Sequence, residues 1–303
     1  MDAAGGVEQG VAAAAVRVES LNLYYIRGMR RKYSALLLPA FLVYLSCNND
    51  TGVHDQGTAA TTPPAVPVIN HSVAGYLPHD TSLFTEGFLV HNGQMFESTG
   101  SPEEYPDAES LVGIIDPHTG KMDRKIQLDK ERYFGEGIVF LKDRLYQLTY
   151  LNRKGFIYDA ATFKKTGEFN YANQQGWSLT TDGARLIMSD GTDTLSYLDP
   201  VSCKPTGILK VTMNGLPRDS LNELEYIKGF IYANVWYTDY ILKIDPATGK
   251  VVGRIDLSSI VADARNKNPQ ANVLNGIAYD AASDRIYVVG KRWPNIYQID
   301  FPH

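Results

Sequence analysis

Cysteine is almost absent from this chain: Cys47 and Cys203 are the only two among 303 residues. No disulfide framework is therefore available, whatever the compartment. A basic face is also missing. The formal net charge is -5, and no Lys/Arg patch of the kind that phosphate contacts require is present, so nucleic acid is not expected as a partner. The six histidines show no metal-ligand spacing, and neither a nucleophile elbow nor a P-loop nor a Cys/His cluster occurs. Helical periodicity is scarce as well, with one short helix expected over residues 258 to 266, SSIVADARN. Small molecules, peptides and proteins remain as partners of a chain long enough for one sizeable core.

The longest apolar run, Tyr33 to Leu45, is short for a membrane span. It sits inside residues 29 to 47, MRRKYSALLLPAFLVYLSC, where a start-capable Met29 and a basic Arg30-Arg31-Lys32 precede the run, and a small residue precedes Cys47. This reads as an export signal of the bacterial lipoprotein kind, with Cys47 the lipidated new N-terminus. An exported protein anchored to a bacterial membrane, periplasmic or at the outer surface, is expected. Residues 1 to 28 read as a doubtful upstream extension. Residues 48 to 66 are polar and rich in Pro, Thr and Gly, as in a disordered tether, and the folded part spans 67 to 303.

What the folded part has is strands and Gly-containing turns. A phrase recurs in which an apolar strand ends in Asp and a turn leads to another strand: GIIDPHTGKMDRKIQL, FIYDAATFKKTGEFNY, SYLDPVSCKPTGILKV, LKIDPATGKVVGRIDL and a final IYQIDF. The marker residues Asp116, Asp159, Asp199, Asp245 and Asp300 are 43, 40, 46 and 55 residues apart. An all-strand repeat of this length predicts an all-β, five-bladed propeller with four-stranded antiparallel blades. The fifth copy stops after its third strand, so VINHSVAGYL, residues 68 to 77, is expected to close the ring.

Aligning the inner hairpins identifies the candidate site. Ten residues before Phe96, Tyr146, Ile187 and Tyr232 stand Glu86, Glu136, Trp177 and Asn222, and in the longer fifth hairpin Asn275 stands twelve before Tyr287. Four residues after the same markers stand Gly100, Tyr150, Gly191, Trp236 and Lys291. Inner strands line a propeller's channel, so both sets are expected at one mouth, forming a pocket of carboxylates, amides, an ammonium and aromatics. Any one of these glutamates alone reads equally well as a solvated side chain. Five aligned copies argue against that. The Asp markers read as ordinary turn residues, and His79 as structural.

These residues carry a resemblance. LPHDTSLFTEGF, YFGEGIVF, QLTY, QGWSLTTDG, SDGT, LNELEYIKGFIYANVWYTDYILKIDPATGKV and NVLNGIAYD with VVGKRWP, in order from about Val68 to Tyr297, resemble the plant-type glutaminyl-peptide cyclotransferases of plants and bacteria. The resemblance implies a five-bladed propeller that converts N-terminal glutamine of peptides or proteins to pyroglutamate and releases ammonia. It implies Glu136 as the acid/base glutamate, with Asn222, Trp177, Trp236, Lys291 and Phe84 in the substrate pocket. Two positions depart from the plant pattern: Glu86 replaces a glutamine, and Tyr150 a tryptophan. The first leaves the division of labour between Glu86 and Glu136 open.

The nucleophile of such a reaction is the substrate's own α-amine, so no cofactor is required, although a structural calcium in the channel stays open. Lys291 or Asn222 is expected to stabilise the carbonyl oxygen, while Tyr150, Trp177, Trp236, Asn275 and Glu86 shape the pocket. A monomer is expected. Two rival readings are a metal-dependent propeller hydrolase such as a lactonase, its ligands drawn from the two Glu and two Asn, and a non-catalytic surface-binding propeller.

Overall fold

A computed structural model of the protein describes residues 65–303. The expected export signal, Cys47 and residues 48–64 of the expected tether lie outside the described residues. The described chain opens with β1 (Ser72–Pro78). Blade 1 follows as β2 (Thr85–His91), β3 (Gln94–Thr99), β4 (Leu111–Ile115) and β5 (Met122–Gln127). Blade 2 is β6 (Gly135–Leu141), β7 (Arg144–Thr149), β8 (Lys154–Asp159) and β9 (Lys165–Asn170). Blade 3 is β10 (Ser178–Thr181), β11 (Leu186–Ser189), β12 (Thr194–Leu198) and β13 (Pro205–Lys210). A small hairpin, β14 (Thr212–Met213) with β15 (Leu216–Pro217), leads to blade 4, β16 (Leu221–Ile227), β17 (Phe230–Val235), β18 (Tyr240–Ile244) and β19 (Val251–Asp256). After the helix α1 (Ser258–Lys267), blade 5 is β20 (Leu274–Asp280), β21 (Arg285–Gly290) and β22 (Asn295–Asp300).

The inner strands contact one another in the cycle β2, β6, β10, β16, β20 and back to β2. Blade 5 takes its outer strand from the beginning of the described chain: β1 runs antiparallel to β22 from Ser72↔Asp300 to Pro78↔Asn295. The expected closure is thus present, and it removes the edge that a three-stranded blade would expose.

Burial follows strand position. The inner strand β6, GEGIVFL, is buried throughout, whereas in the outer strands β5, β9 and β13 Ile126, Phe169 and Leu209 alone are buried. Apolar side chains therefore gather between blades. Leu89, Phe96 and Val112 of blade 1 pack with Ile138, Phe140 and Leu145 of blade 2, and the seam of blades 2 and 3 repeats this with Tyr146, Leu148, Leu179 and Met188. Each large side chain buried in this way contributes about 1.5–3 kcal/mol. Helix α1 buries Ile260, Val261 and Ala264 in the cluster that joins blades 4, 5 and 1.

The turns explain the Asp phrase. Asp116 accepts the His118 N–H at 2.8 Å and the Thr119 hydroxyl at 2.9 Å, and Asp245 binds Ala247 and Thr248 in the same way. Asp159 and Asp199 bind Thr162 and Ser202 equivalently. These carboxylates fold the tight turn between third and fourth strands, as expected of turn chemistry. Two of the inner-hairpin turns, Asn92-Gly93 and Lys228-Gly229, have positive φ at both central residues, the form that matches strand twist.

Candidate active site

The strand registers bear out the alignment of the inner hairpins. The residue three beyond each first-ring position pairs with the second-strand marker: Leu89↔Phe96, Val139↔Tyr146, Thr180↔Ile187, Glu225↔Tyr232 and Ala278↔Tyr287. Glu86, Glu136, Trp177, Asn222 and Asn275 are therefore equivalent. The second ring is equivalent too. The backbone N–H groups of Gly100, Tyr150, Trp236 and Lys291 each donate to the carbonyl two residues before the first-ring position of the same blade, at 2.9–3.0 Å.

What sends these side chains to the mouth is a bulge. In four blades the ladder skips at the first-ring residue: Thr85 pairs with Thr99 and Gly87 with Ser98, which leaves Glu86 unpaired between them. The same shift falls at Glu136, Asn222 and Asn275. A bulge re-aims a side chain at the end of a strand but orphans backbone groups. Neighbouring blades satisfy those groups. Ser98 Oγ donates to the Glu136 carbonyl at 2.6 Å, Ser189 Oγ to the Asn222 carbonyl at 2.7 Å, and Gly137 N–H to the Trp177 carbonyl at 2.9 Å.

The glycine after each glutamate has a packing reason. A Cβ on Gly137 would stand 2.4 Å from Ser178 Cα, and one on Gly87 2.9 Å from Gly137 Cα, so adjacent inner strands touch backbone to backbone there.

The mouth holds one buried ion pair. Lys291 Nζ lies 2.7 Å from Glu86 Oε1, and Asn275 Nδ2 donates to Glu86 Oε2 at 3.1 Å and to the Thr85 carbonyl at 3.0 Å. The Lys291 ammonium also stands 4.6 Å above the Phe84 ring. Burial raises the Glu86 carboxyl, and the charge and hydrogen bond of Lys291 pull it back. Glu136, 4% exposed, has no hydrogen-bond donor to its carboxyl among the described residues. Burial raises it well above the usual carboxylate range, the negative charge of Glu86 adds to the rise, and Lys291 opposes it. Of the pair, Glu136 holds a proton more readily. Asn222 is 4% exposed, and its buried Oδ1 has no partner among the described residues.

Two aromatic arcs include members of both rings. One runs Tyr105–Phe84–Phe134–Tyr150, with ring centroids 5.7, 6.4 and 5.8 Å apart. The other runs Trp177–Trp236–Tyr237 at 5.6 and 4.3 Å, and Gln175 Oε1 orients the Trp177 indole by accepting its N–H at 2.7 Å. The two second-ring glycines make room for these arcs: a Cβ on Gly100 would strike the Phe134 ring at 2.2 Å, and one on Gly191 the Trp177 ring at 2.5 Å. Among the described residues, no three His, Cys, Asp or Glu side chains are grouped to hold a metal ion.

A sequence profile described as glutamine cyclotransferase matches residues 44–301. The chain belongs to the glutamine cyclotransferase family. It is 36% identical over 282 residues, 90% of its own length and 85% of the relative's, to the glutaminyl-peptide cyclotransferase of Arabidopsis thaliana. Its fold superposes on the crystal structure of Myxococcus xanthus glutaminyl cyclase with a TM-score of 0.69 and 32% identity, over 78% of this chain and 98% of that one.

In this cyclotransferase the sequence reading missed Phe134, Tyr105 and Gln175. The signal for Phe134 was present, since it stands two residues before Glu136 as Phe84 stands two before Glu86. Tyr105 lies in the connection between β3 and β4, outside any repeat, and only the fold brings it to Phe84.

Proposed function

We propose that this cyclotransferase closes the N-terminal glutamine of peptides into pyroglutamate, with Glu136 as the proton shuttle. The observation that carries the assignment is the asymmetry between the carboxyls: Glu86 is engaged by Lys291 and Asn275, and Glu136 is engaged by neither. In the reaction the substrate α-nitrogen bonds to its own side-chain amide carbon. The α-nitrogen passes a proton to Glu136, Glu136 returns it to the amide nitrogen, and the carbon–nitrogen bond breaks to free ammonia. A carboxyl raised toward the working pH serves both transfers.

Lys291 spends one of its three N–H donors on Glu86 and keeps the others for the carbonyl oxygen that gains charge on attack. Trp177, Trp236 and Phe84 hold the substrate methylenes, which folds a flexible chain into a shape ready for attack. The metal-dependent hydrolase reading is the weaker one, because an ammonium already occupies the space beside Glu86 where a cation's charge would fall. Incubating the protein with a Gln-initiated peptide and weighing the product tests the reading. Loss of one ammonia, unaffected by a chelator, supports it; an unchanged peptide overturns it.

Export and lipid anchoring rest on the residues around Cys47 alone. Cys47→Ala is expected to release the protein from membranes, and retention of this variant on membranes counts against the anchor.

A further inference from the structure

Behind the catalytic mouth lies a second buried pair that the reaction does not use. His79 and Glu97 have fully buried side chains, with His79 Nε2 3.0 Å from Glu97 Oε2. The other ring nitrogen, Nδ1, lies 2.7 Å from the Trp293 carbonyl. A carbonyl only accepts, so Nδ1 carries a proton; a carboxylate only accepts, so opposite Glu97 the second nitrogen carries one as well. Thr85 Oγ1 donates to the remaining carboxylate oxygen at 2.7 Å and approaches the Gly290 carbonyl at 3.4 Å. Each group in this network thus presents the complement that an imidazolium and a carboxylate need.

The position of the network gives it a role. His79 directly follows β1, the strand that closes the ring, and its own backbone N–H donates to the Pro294 carbonyl at 3.0 Å. Glu97 is on β3 of blade 1, and Trp293 is on the turn after Lys291. Thr85 immediately precedes Glu86, and its carbonyl accepts from the same Asn275 amide that binds Glu86. Gly290 immediately precedes Lys291. The two residues of the catalytic ion pair therefore sit on two strand ends from different blades, and the chain Trp293–His79–Glu97–Thr85 joins those ends from behind.

We propose that His79, as an imidazolium clamped between Trp293 and Glu97, is a positioning residue that holds Glu86 and Lys291 in register across the ring seam. The proposal rests on the cyclotransferase reading of the mouth for its kinetic consequence, and on geometry alone for the state of the imidazole. Burial on its own would lower the imidazole's affinity for a proton, but the charge and hydrogen bond of Glu97, the Trp293 carbonyl and Asp80 together raise it. Asp80 is the other charged group facing His79, and Lys121 in turn faces Asp80.

The test uses the full chain. In ¹⁵N spectra of the substrate-free protein, both His79 nitrogens are expected to carry protons at neutral pH, a result that does not depend on any activity. A neutral ring with one protonated nitrogen overturns the proposal. His79→Gln is then compared with the uncharged double variant His79→Gln/Glu97→Gln, which leaves no lone buried charge. Both are expected to lose roughly 10–100-fold in kcat with KM within about threefold, the size of effect that follows a small misplacement of reacting groups. The Glu86 carboxyl, followed by ¹³C shift, is expected to titrate at higher pH in both. If the double variant folds stably and recovers native kcat and the native Glu86 titration, His79 is a structural pair only. A native protein that shows both protons on His79 but cyclises nothing rejects the reading of the mouth and leaves the imidazolium standing.

Discussion

Lys291 Nζ lies 2.7 Å from Glu86 Oε1, with both side chains under a tenth exposed, and this pairing favours the charged form of Glu86 over that of Glu136. Glu86 is hydrogen-bonded to a cation and an amide donor; Glu136 is hydrogen-bonded to neither and feels the charges of both Glu86 and Lys291. In the proposed reaction the two carboxyls divide the labour, one charged and one carrying the proton, and the difference arises from environment, since the two residues occupy equivalent bulges.

Glu136→Gln is expected to lower turnover of a Gln-initiated peptide by about 10²–10⁴-fold, the usual size of an acid/base contribution. The substitution removes a carboxyl whose burial is unfavourable and keeps its shape, so the thermal midpoint should hold or rise. Near-native turnover would take Glu136 out of the mechanism.

Glu86→Gln acts on Glu136 from outside. The neighbouring charge that raises Glu136 disappears, while Lys291, which lowers it, loses its partner and remains. The limb of the pH–kcat profile that belongs to Glu136 should therefore move to lower pH. A limb that stays in place, measured on the folded variant, argues that Glu136 does not set it. Lys291→Met, which strands the Glu86 charge, is expected to cost about 3–5 kcal/mol in urea unfolding.

Trp177→Ala should raise KM with a smaller effect on kcat, because in the proposed reaction the indole holds the substrate and is not a reacting group. Gly191→Ala reaches the same indole indirectly: its methyl would meet the Trp177 ring, and its φ of +79° disfavours any side chain. Its KM should rise in parallel. Unchanged KM in both variants would remove the indole from the substrate's surroundings.

Stability should depend on carboxyls further down the channel. Glu223 accepts the Phe88 and Ile277 N–H groups at 3.3 and 2.9 Å, and Glu225 accepts that of Tyr279 at 3.0 Å. Burial raises both, Glu225 to about 8 from 4.5. A carboxyl raised on folding stabilises fully below its unfolded value, and the contribution is lost as pH climbs to the folded one. The unfolding midpoint in urea should therefore fall between pH 5 and 8, and Glu225→Gln should flatten that fall. An equally steep dependence in the variant would assign the effect to other groups.

Most of the architecture was legible in the chain because the blade is repeated and its Asp turns recur with local, readable chemistry. The same repetition located Glu86, Glu136, Trp177, Asn222 and Asn275, since equivalent positions in a ring must meet at its axis. The electrostatics were not legible. No spacing rule says that Lys291 faces Glu86 and leaves Glu136 unpaired, because that depends on side-chain reach across a seam between blades 5 and 1. His79 read as structural for a similar reason: its partner Glu97 belongs to another blade, and only ring closure brings the two together.

The seam also sets a timetable. Because β1 pairs with β22, the strands that fasten the ring are among the first and the last of the folded part to leave the ribosome. A nascent chain that ends before Asn295 holds every strand of blades 1 to 4 and two of blade 5 but has nothing on which to lock β1, and the clamp behind Glu86 and Lys291 stays open. Cyclising activity should therefore appear all at once, when β22 has joined β1, and not grow blade by blade during elongation.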